Sequence, residues 1–293
     1  MPDHVARALL VDKPAGPTSH DIVARLRRAV GTRRVGHTGT LDPFASGLMI
    51  LLVGPATRLS QYVTALPKTY LAEARFGVTT DTDDLEGEVL AESTEWEGLD
   101  RQEFERILAD SVGPLDQVPP PYSAKKVDGE RAHRRARRGE EVVLPPNRVE
   151  IHSMELVDWE LPIVRFRVRC SSGTYIRALA RDFGAEVGVG AHLTALRREE
   201  IGSFGVEGAF PADDLEHGSV PERGWISPLG LLAHLRQVDV SDSDVDAVRQ
   251  GQSIESDEGE FPDGELVTVA REGALVAIGE AREGRVHPRK VIG

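Results

Sequence analysis

The order of secondary-structure patterns along the chain limits its fold more than any other feature of the sequence. Strand-like alternation covers residues 68–76, about 149–158 and 163–170, and a short apolar run covers residues 48–53. Helical patterns fall between them at irregular intervals, whereas a doubly wound parallel sheet needs strands and helices in regular alternation. The sequence therefore predicts an α+β fold built around a mainly antiparallel central sheet.

The first of the predicted helices carries both a start and a stop signal. Thr18 followed by Asp21 is typical of a capping box, apolar residues recur every four positions from Ile22 to Val30, and Gly31 suits a C-terminal cap. A strand is predicted just before it, at residues 8–13. Further helices are predicted at about 99–112 and from about Thr174.

The last part of the chain has the pattern of a separate small unit. After an irregular interval at 212–235, short apolar segments at 266–269, 275–278 and 291–292 alternate with turns that contain glycine. We therefore predict a large domain over 1–235 and a small β-rich domain over 236–293.

Charge is the main argument against a nucleic-acid ligand. The formal net charge is −13, and affinity for phosphate normally comes from clustered Lys and Arg. Residues 125–138 nevertheless hold seven Lys or Arg against two acids, so a local basic patch is possible in an acidic protein. No apolar run approaches the length of a membrane span, and the N-terminus does not resemble a signal peptide. We expect a cytoplasmic protein with no membrane association.

The segment Gly36-His37-Thr38-Gly39-Thr40-Leu41-Asp42-Pro43 is the richest in reactive side chains. On residue statistics alone, an Asp before Pro is usually a turn residue. Residues 81–87 lack the spacing of a calcium loop and are interpreted as a polar turn. No glycine-rich phosphate loop, HExxH pair or GxSxG elbow occurs, and Cys170 is the single cysteine. We expect neither a metal nor a cofactor, so that any chemistry runs on side chains.

Several separated segments together resemble one family, the bacterial TruB family of tRNA pseudouridine-55 synthases. The matching segments occur in the family's order over roughly residues 8–205 and are LLVDKP (9–14) with GPTS (16–19), GHTGTLDP (36–43), GPATR (54–58), KTY (68–70), TDTD (80–83), PPYSAK (120–125), GTYIR (173–177) and LRR (196–198). The tail is similar, more loosely, to a PUA-type RNA-binding domain.

The resemblance implies a catalytic role for Asp42, Tyr70 and Arg177. Asp42 matches the family's essential aspartate, Arg177 the arginine that pairs with it, and Tyr70 the tyrosine that stacks on the target base. These residue types suit the chemistry, because a carboxylate needs no cofactor, a neighbouring cation keeps it ionised, and every base has a π-face. From sequence alone, Arg177 is equally consistent with a surface charge and Tyr70 with a core aromatic.

The resemblance also implies a set of substrate contacts. His37 corresponds to a histidine that holds the extruded nucleotide, Tyr175 to a residue of the pocket wall and Leu196 to an apolar residue beside the active site. A basic insertion at about 120–145, with Lys125, Arg134 and Arg135, corresponds to a segment that closes over the RNA. A solvated charged helix is the alternative interpretation of that run.

The implied function is isomerisation of uridine 55 in the T-arm of tRNA to pseudouridine, on a nucleotide flipped out of its stack. Two alternatives stay open at this point. One is a guide-RNA-dependent pseudouridine synthase of a ribonucleoprotein, and the other is a tRNA-folding chaperone whose chemistry is secondary. The short tail favours an enzyme without an obligatory protein partner, and we expect a monomer.

Overall fold

The computed structural model describes residues 6–120, 122, 126–127, 130–131, 138, 144–217, 224–255 and 261–292. Its helices are α1 (Ser19–Val30), α2 (Ser60–Thr64), α3 (Arg101–Asp110), α4 (Ile176–Glu186), α5 (Pro228–Leu231) and α6 (Asp242–Arg249). The strands up to the start of the tail are β1 (Arg7–Lys13), β2 (Val35–His37), β3 (Ser46–Val53), β4 (Lys68–Phe76), β5 (Val78–Thr80), β6 (Val89–Glu92), β7 (Gly113–Gln117), β8 (Lys126–Val127), β9 (Glu130–Arg131), β10 (Asn147–Glu160), β11 (Ile163–Cys170), β12 (Ala191–Ile201), β13 (Phe204–Gly205), β14 (Phe210–Pro211) and β15 (Trp225–Ile226).

The central sheet confirms the predicted α+β class. Its main path runs β14-β1-β3-β12-β4-β11-β10-β7, and β2, β13 and β15 pair at its margins. Within the described residues, neighbouring strands are antiparallel except at the β1–β14 and β3–β12 contacts. Because β4 and β12 lie in the middle of this path, side chains on these two strands are fixed from both sides.

One face of the sheet is covered by helices. Tyr70, Ala72, Ala74 and Phe76 alternate along β4 and are all buried on this face, where α1, α3 and α4 contribute their apolar stripes. The capping box predicted at the start of α1 is present, since Thr18 accepts from the backbone of Asp21 and Asp21 from that of Thr18. Gly31 ends this helix in the left-handed conformation, at φ 71°.

Strand β12 was not predicted from the sequence. Its residues 191–201 contain four charged side chains in succession from Arg197 to Glu200, which obscures the alternation expected of a strand. In the structure the charged run does alternate as a strand should: Arg198 is buried on one side, whereas Arg197 pairs with Asp12 at the surface. The predicted strands and helices elsewhere in this domain are confirmed within a few residues of their bounds.

The tail forms a second sheet, in the order β16-β18-β19-β20-β17. Its strands are β16 (Arg236–Asp239), β17 (Ile254–Glu255), β18 (Leu266–Arg271), β19 (Ala274–Arg282) and β20 (Arg285–Val291). The expected strand at 291–292 was placed too late, because β20 begins at Arg285 and pairs with β19 along its length. Helix α6 was not predicted. The proposed boundary at 236 falls on the first residue of β16.

The second sheet packs against the first through an apolar cluster. Leu275, Ile278 and Ile292 meet Leu48 and Ile50 of β3 in this cluster, together with residues of α2 and α5. Such burial of side chains from both sheets stabilises their contact. Among the described residues, no helix has the length and apolar character needed to cross a membrane.

Candidate active site

A cavity of about 270 Å³ opens beside the loop that carries Asp42. Residues 38–42 form one wall, β4 contributes Lys68 and Tyr70, and residues 171–177 at the start of α4 form the opposite wall. Leu196 and Arg198 of β12 also line it. Segments far apart in the sequence therefore meet here because the sheet places β4 next to both β11 and β12.

The loop of Asp42 is held from below by two side chains that precede it in the chain. The hydroxyl of Ser19, at the start of α1, accepts from the Leu41 amide at 2.8 Å and donates to the Leu41 carbonyl at 2.9 Å. Lys13 donates to the carbonyls of Pro14, Pro17 and Pro43. These contacts fix the backbone on both sides of Asp42, so the carboxylate is presented by a rigid turn.

The carboxylate of Asp42 is held by Arg177. Nε of Arg177 lies 3.0 Å from Oδ2 of Asp42, and the Arg177 side chain is 6% exposed whereas that of Asp42 is 37% exposed. Burial raises the pKa of Asp42 above its usual value, and Arg177 and Lys13 oppose that rise. The arginine thus favours the ionised form of a carboxylate that remains open to the cavity.

Arg177 also binds a second carboxylate, which the sequence analysis assigned only to a polar turn. Nη1 lies 3.1 Å from Oδ2 of Asp84, whose side chain is 5% exposed. The same guanidinium donates to the carbonyls of Thr82 and Tyr122. The turn at residues 81–87 is therefore part of the site's support. The match of residues 80–83 to the family was the available signal for this role.

Tyr70, Leu196 and Tyr175 all line the cavity with Asp42 and Arg177. Tyr70 is 9% exposed, and burial raises its pKa while Arg198 opposes the rise. The backbone of Tyr175 is fixed at both its amide and its carbonyl by the side chain of Gln117. The geometry therefore combines a carboxylate, a fixed cation and an aromatic ring around one small space.

His37 lies apart from this group, outside the residues that line the cavity. Its ring meets that of His20 edge to face at 5.8 Å, and its Nδ1 accepts from the Gly39 amide. Burial lowers the pKa of His37, and the neighbouring His20 ring and Arg198 guanidinium act in the same direction. Lys125, Arg134 and Arg135 fall outside the described residues.

Three buried cations at the site had no assigned role at the sequence level beyond scaffold for Lys13. They are Lys13, Lys68 and Arg198, with exposures of 0, 5 and 1%. Lys68 donates to the carbonyls of Thr64 and Leu66. Burial lowers the pKa of Lys13 and of Lys68 to about 8 in each case.

The described residues contain no group of three or more His, Cys, Asp or Glu side chains placed to hold a metal ion. Cys170 is fully buried on β11. Burial raises the pKa of its thiol to about 11, so it is not a reactive thiolate.

Comparison with solved structures defines the class of the fold. The chain matches a protein in the structure of an H/ACA ribonucleoprotein bound to a substrate RNA containing 2′-deoxyuridine, with a TM-score of 0.74, 23% identity and coverage of 98% of this chain and 85% of that one. A Cbf5–Nop10–Gar1 complex matches with a TM-score of 0.73, at 24% identity and over 98% and 85% of the two chains. The chain thus shares the fold of the proteins matched in these two complexes.

Sequence comparison identifies the family. Residues 27–176 match the N-terminal domain model of TruB family pseudouridylate synthases, and residues 237–292 match the C-terminal model of pseudouridine synthase II TruB. A tRNA pseudouridine synthase B of Parasynechococcus marenigrum is 42% identical over 97% of this chain and 96% of its own length. One from Thermobifida fusca is 50% identical over 71% of this chain and 73% of its own. The chain belongs to the TruB family of pseudouridylate synthases.

Proposed function

We propose that this protein is a tRNA pseudouridine synthase that isomerises uridine 55 in the T-arm, with Asp42 as the essential carboxylate. The observation that carries the proposal is the placement of Asp42, which is open to a cavity yet held 3.0 Å from Arg177 and faces the same space as Tyr70. Family membership and the relatives named tRNA pseudouridine synthase B support the same reaction and substrate class.

The reaction breaks the bond from N1 of uracil to C1′ of ribose, turns the detached ring and joins C5 to C1′. The C5 proton then leaves to a base, and its bonding electrons restore the ring. Asp42 serves this sequence by attacking C1′, by attacking the ring, or as the base of a route through a glycal; each needs its ionised form. The cavity admits a base only when the nucleotide leaves its stack, so the enzyme acts on a flipped-out uridine.

Arg177 orients Asp42 and keeps it ionised, and Tyr70 supplies a platform on which the detached uracil stacks. Leu196 and Tyr175 confine the ring, which limits solvent access while the glycosidic bond is broken. His37, which lies outside the cavity wall, contacts the extruded nucleotide beyond the target base, as its match to the family implies. These roles follow from the contacts of each side chain together with the resemblance to the family.

The basic segment at 120–145 closes over the RNA in this proposal, with Lys125, Arg134 and Arg135 as phosphate contacts. The domain at 236–293 is a PUA-like module that binds RNA outside the catalytic cavity. Recognition of a folded RNA arm by its shape needs a local basic patch, so a net charge of −13 does not oppose it.

The guide-RNA-dependent alternative is less well supported. The ribonucleoprotein structures share the fold at 23–24% identity, whereas relatives at 42% identity over nearly the whole chain are named tRNA pseudouridine synthase B. We propose a monomeric, cytoplasmic enzyme that acts without a guide RNA or protein partner. Light scattering of the purified protein and activity on a bare T-arm stem-loop test these two statements.

The central experiment compares wild type with Asp42→Asn on an unmodified tRNA transcript, with pseudouridine mapped at nucleotide resolution. Wild type is expected to modify position 55 alone, and Asp42→Asn to bind the tRNA without modifying it. Asp246→Asn, an exposed acid of α6, is the control and keeps full activity. Absence of product from wild type, or an active Asp42→Asn variant, contradicts the proposal.

A further inference from the structure

Among the described residues, the largest side chain that is fully buried lies directly under the active-site loop. Arg198 is 1% exposed and heads the fully buried residues when these are ranked by volume. Its guanidinium donates to the Leu48 carbonyl at 2.7 Å, to that of Gly39 at 3.1 Å and to that of Thr40 at 3.5 Å. Arg198 therefore joins β3 to the loop two to three residues before Asp42.

The partners of Arg198 are unusual for a buried charge. A buried guanidinium is normally paired with a carboxylate, because desolvation of an isolated charge costs several kcal/mol. Across the part of the chain that the structure describes, no carboxylate forms an ion pair with Arg198. Its neighbours at the site include Lys13 and Lys68, which are themselves buried and bonded to carbonyls. Within the described residues, its positive charge is therefore met by carbonyl oxygens and not by a carboxylate.

Tyr70 is the group at the cavity that faces this charge. Arg198 and Tyr70 are paired residues of β12 and β4, and both line the cavity. Directly opposite residues of neighbouring antiparallel strands carry their side chains on the same face of the sheet, so the guanidinium and the phenol extend side by side towards the cavity. The other charged or titratable groups facing the phenol are Cys170 from β11 and Asp42 from the loop. Of these groups, only Arg198 favours a negative charge on that oxygen.

The backbones of β3 and β12 approach each other closely at Arg198. A Cβ atom on Gly47, which is at φ +106°, would lie 2.2 Å from the Arg198 carbonyl oxygen. Gly47 and Arg198 are also paired residues of the parallel β3–β12 contact. This close approach fixes the stretch of backbone from which the Arg198 side chain extends.

We propose that Arg198 is a positioning residue of the isomerisation: anchored on the carbonyls of Gly39 and Thr40, it fixes the Tyr70 hydroxyl and stabilises negative charge on it. The inference rests on the proposed function. Tyr70 first releases its phenolic proton to water, and Arg198 increases the fraction of Tyr70 that is in this ionised form. When the C5–H bond of the rejoined uracil breaks, its electron pair returns to the ring and the proton passes to the phenolate oxygen of Tyr70.

A double-mutant cycle on single-turnover pseudouridine formation tests the inference. Arg198→Gln keeps donors for the carbonyls but removes the charge, and it is expected to lower the rate about 100-fold, as for a misplaced catalytic group. In a Tyr70→Phe background the same change is expected to cost no more than about threefold. The control is Arg197→Gln, the next residue, which points to the surface and pairs with Asp12; it keeps the wild-type rate.

Equal losses in both backgrounds would show that Arg198 supports the fold alone, and an unchanged rate in Arg198→Gln would also overturn the proposal. If Arg198→Gln fails to fold, Arg198→Lys replaces it, because lysine keeps the charge but cannot reach the same contacts. The rate loss caused by Arg198→Lys is then compared in the wild-type and Tyr70→Phe backgrounds in the same way. Thermal melting and tRNA binding of each variant separate lost stability from lost chemistry.

A second measurement is independent of activity. Fluorinated tyrosine, whose phenol is more acidic, is incorporated at the four tyrosine positions and its ionisation is followed by ¹⁹F resonance. The Tyr70 signal is expected to titrate at higher pH in Arg198→Gln than in wild type, while the Tyr62 signal does not move. If Tyr70 titrates at the same pH in wild type and in Arg198→Gln, the inference is contradicted even when the enzyme is active. An inactive wild type contradicts the proposed function instead.

Discussion

The guanidinium of Arg177 lies 3.0 Å from Oδ2 of Asp42, and this contact joins a nearly buried cation to a carboxylate that is open to the cavity. Burial and the nearby Asp84 raise the pKa of Asp42, and Arg177 opposes both effects. The pair therefore decides how much of Asp42 is ionised at a given pH. That dependence gives the first prediction.

Arg177→Met is expected to lower the single-turnover rate at least about 100-fold, because the carboxylate loses its orientation. The acid limb of the pH–rate profile is also expected to move to higher pH. The direction of this shift follows because the ionised form of Asp42 is the active one. Removal of the cation raises the pKa of Asp42 further, so activity is lost at a higher pH as the solution is acidified. Profiles measured from acid to neutral pH, with Arg101→Met of α3 as control, test this; coincident acid limbs contradict it.

Asp84→Asn is expected to destabilise the protein by about 3 kcal/mol, since removal of one partner leaves the buried Arg177 incompletely paired. Urea unfolding measures the change. Glu88→Gln is the matched control, because this exposed acid directly follows the same turn and its loss is expected to change stability by less than about 0.5 kcal/mol. Equal stabilities of the two variants would show that Asp84 does not support Arg177.

The sequence predicted the sheet and its main helices because their apolar periodicity is strong, but it could not locate what lies between distant segments. Asp42, Tyr70 and Arg177 were chosen through the family resemblance, and the structure brings them to one cavity. Asp84 and Arg198 had no local pattern to mark them. Asp84 reads as one acid in a polar turn, and Arg198 as one charge in a charged run. Their roles depend on burial, which only the pairing of β12 with β3 and β4 reveals.

A pH dependence of stability is predicted at Asp83. Burial raises its pKa to about 6, although Arg181 opposes the rise. Because the folded state then binds a proton more tightly than the unfolded state, stability falls as pH rises from about 4 to about 6, by up to about 3 kcal/mol. Asp83→Asn removes this contribution, and asparagine tolerates the φ of 60° found there. Urea unfolding of both proteins at pH 4 and pH 7 tests it; an equal pH dependence contradicts it.

The close approach at Gly47 predicts that Gly47→Ala destabilises the protein by a steric clash. This loss can be separated from the loss caused by the positive φ alone. Gly47→Ala places a Cβ 2.2 Å from the Arg198 carbonyl, whereas Gly16, at nearly the same positive φ, has open space around it. Both variants pay for the positive φ, of order 1–3 kcal/mol, but only Gly47→Ala adds a clash. Its unfolding free energy is expected to fall below that of Gly16→Ala by at least about 1 kcal/mol. Equal losses of unfolding free energy in the two variants would show that β3 and β12 move apart to accept the Cβ without destabilising the protein.

The basic segment gives a prediction about RNA affinity. Replacing Arg134 and Arg135 with alanine is expected to weaken tRNA binding and to flatten its salt dependence, because each phosphate contact contributes about 0.7–0.9 to the slope of log K against log salt. Titrations at several salt concentrations measure that slope. Arg101→Ala with Arg106→Ala on α3 removes the same charge from an exposed helix elsewhere and controls for the change in net charge. If both double variants lower the slope equally, the effect is one of overall charge, and the segment at 120–145 does not contact the RNA.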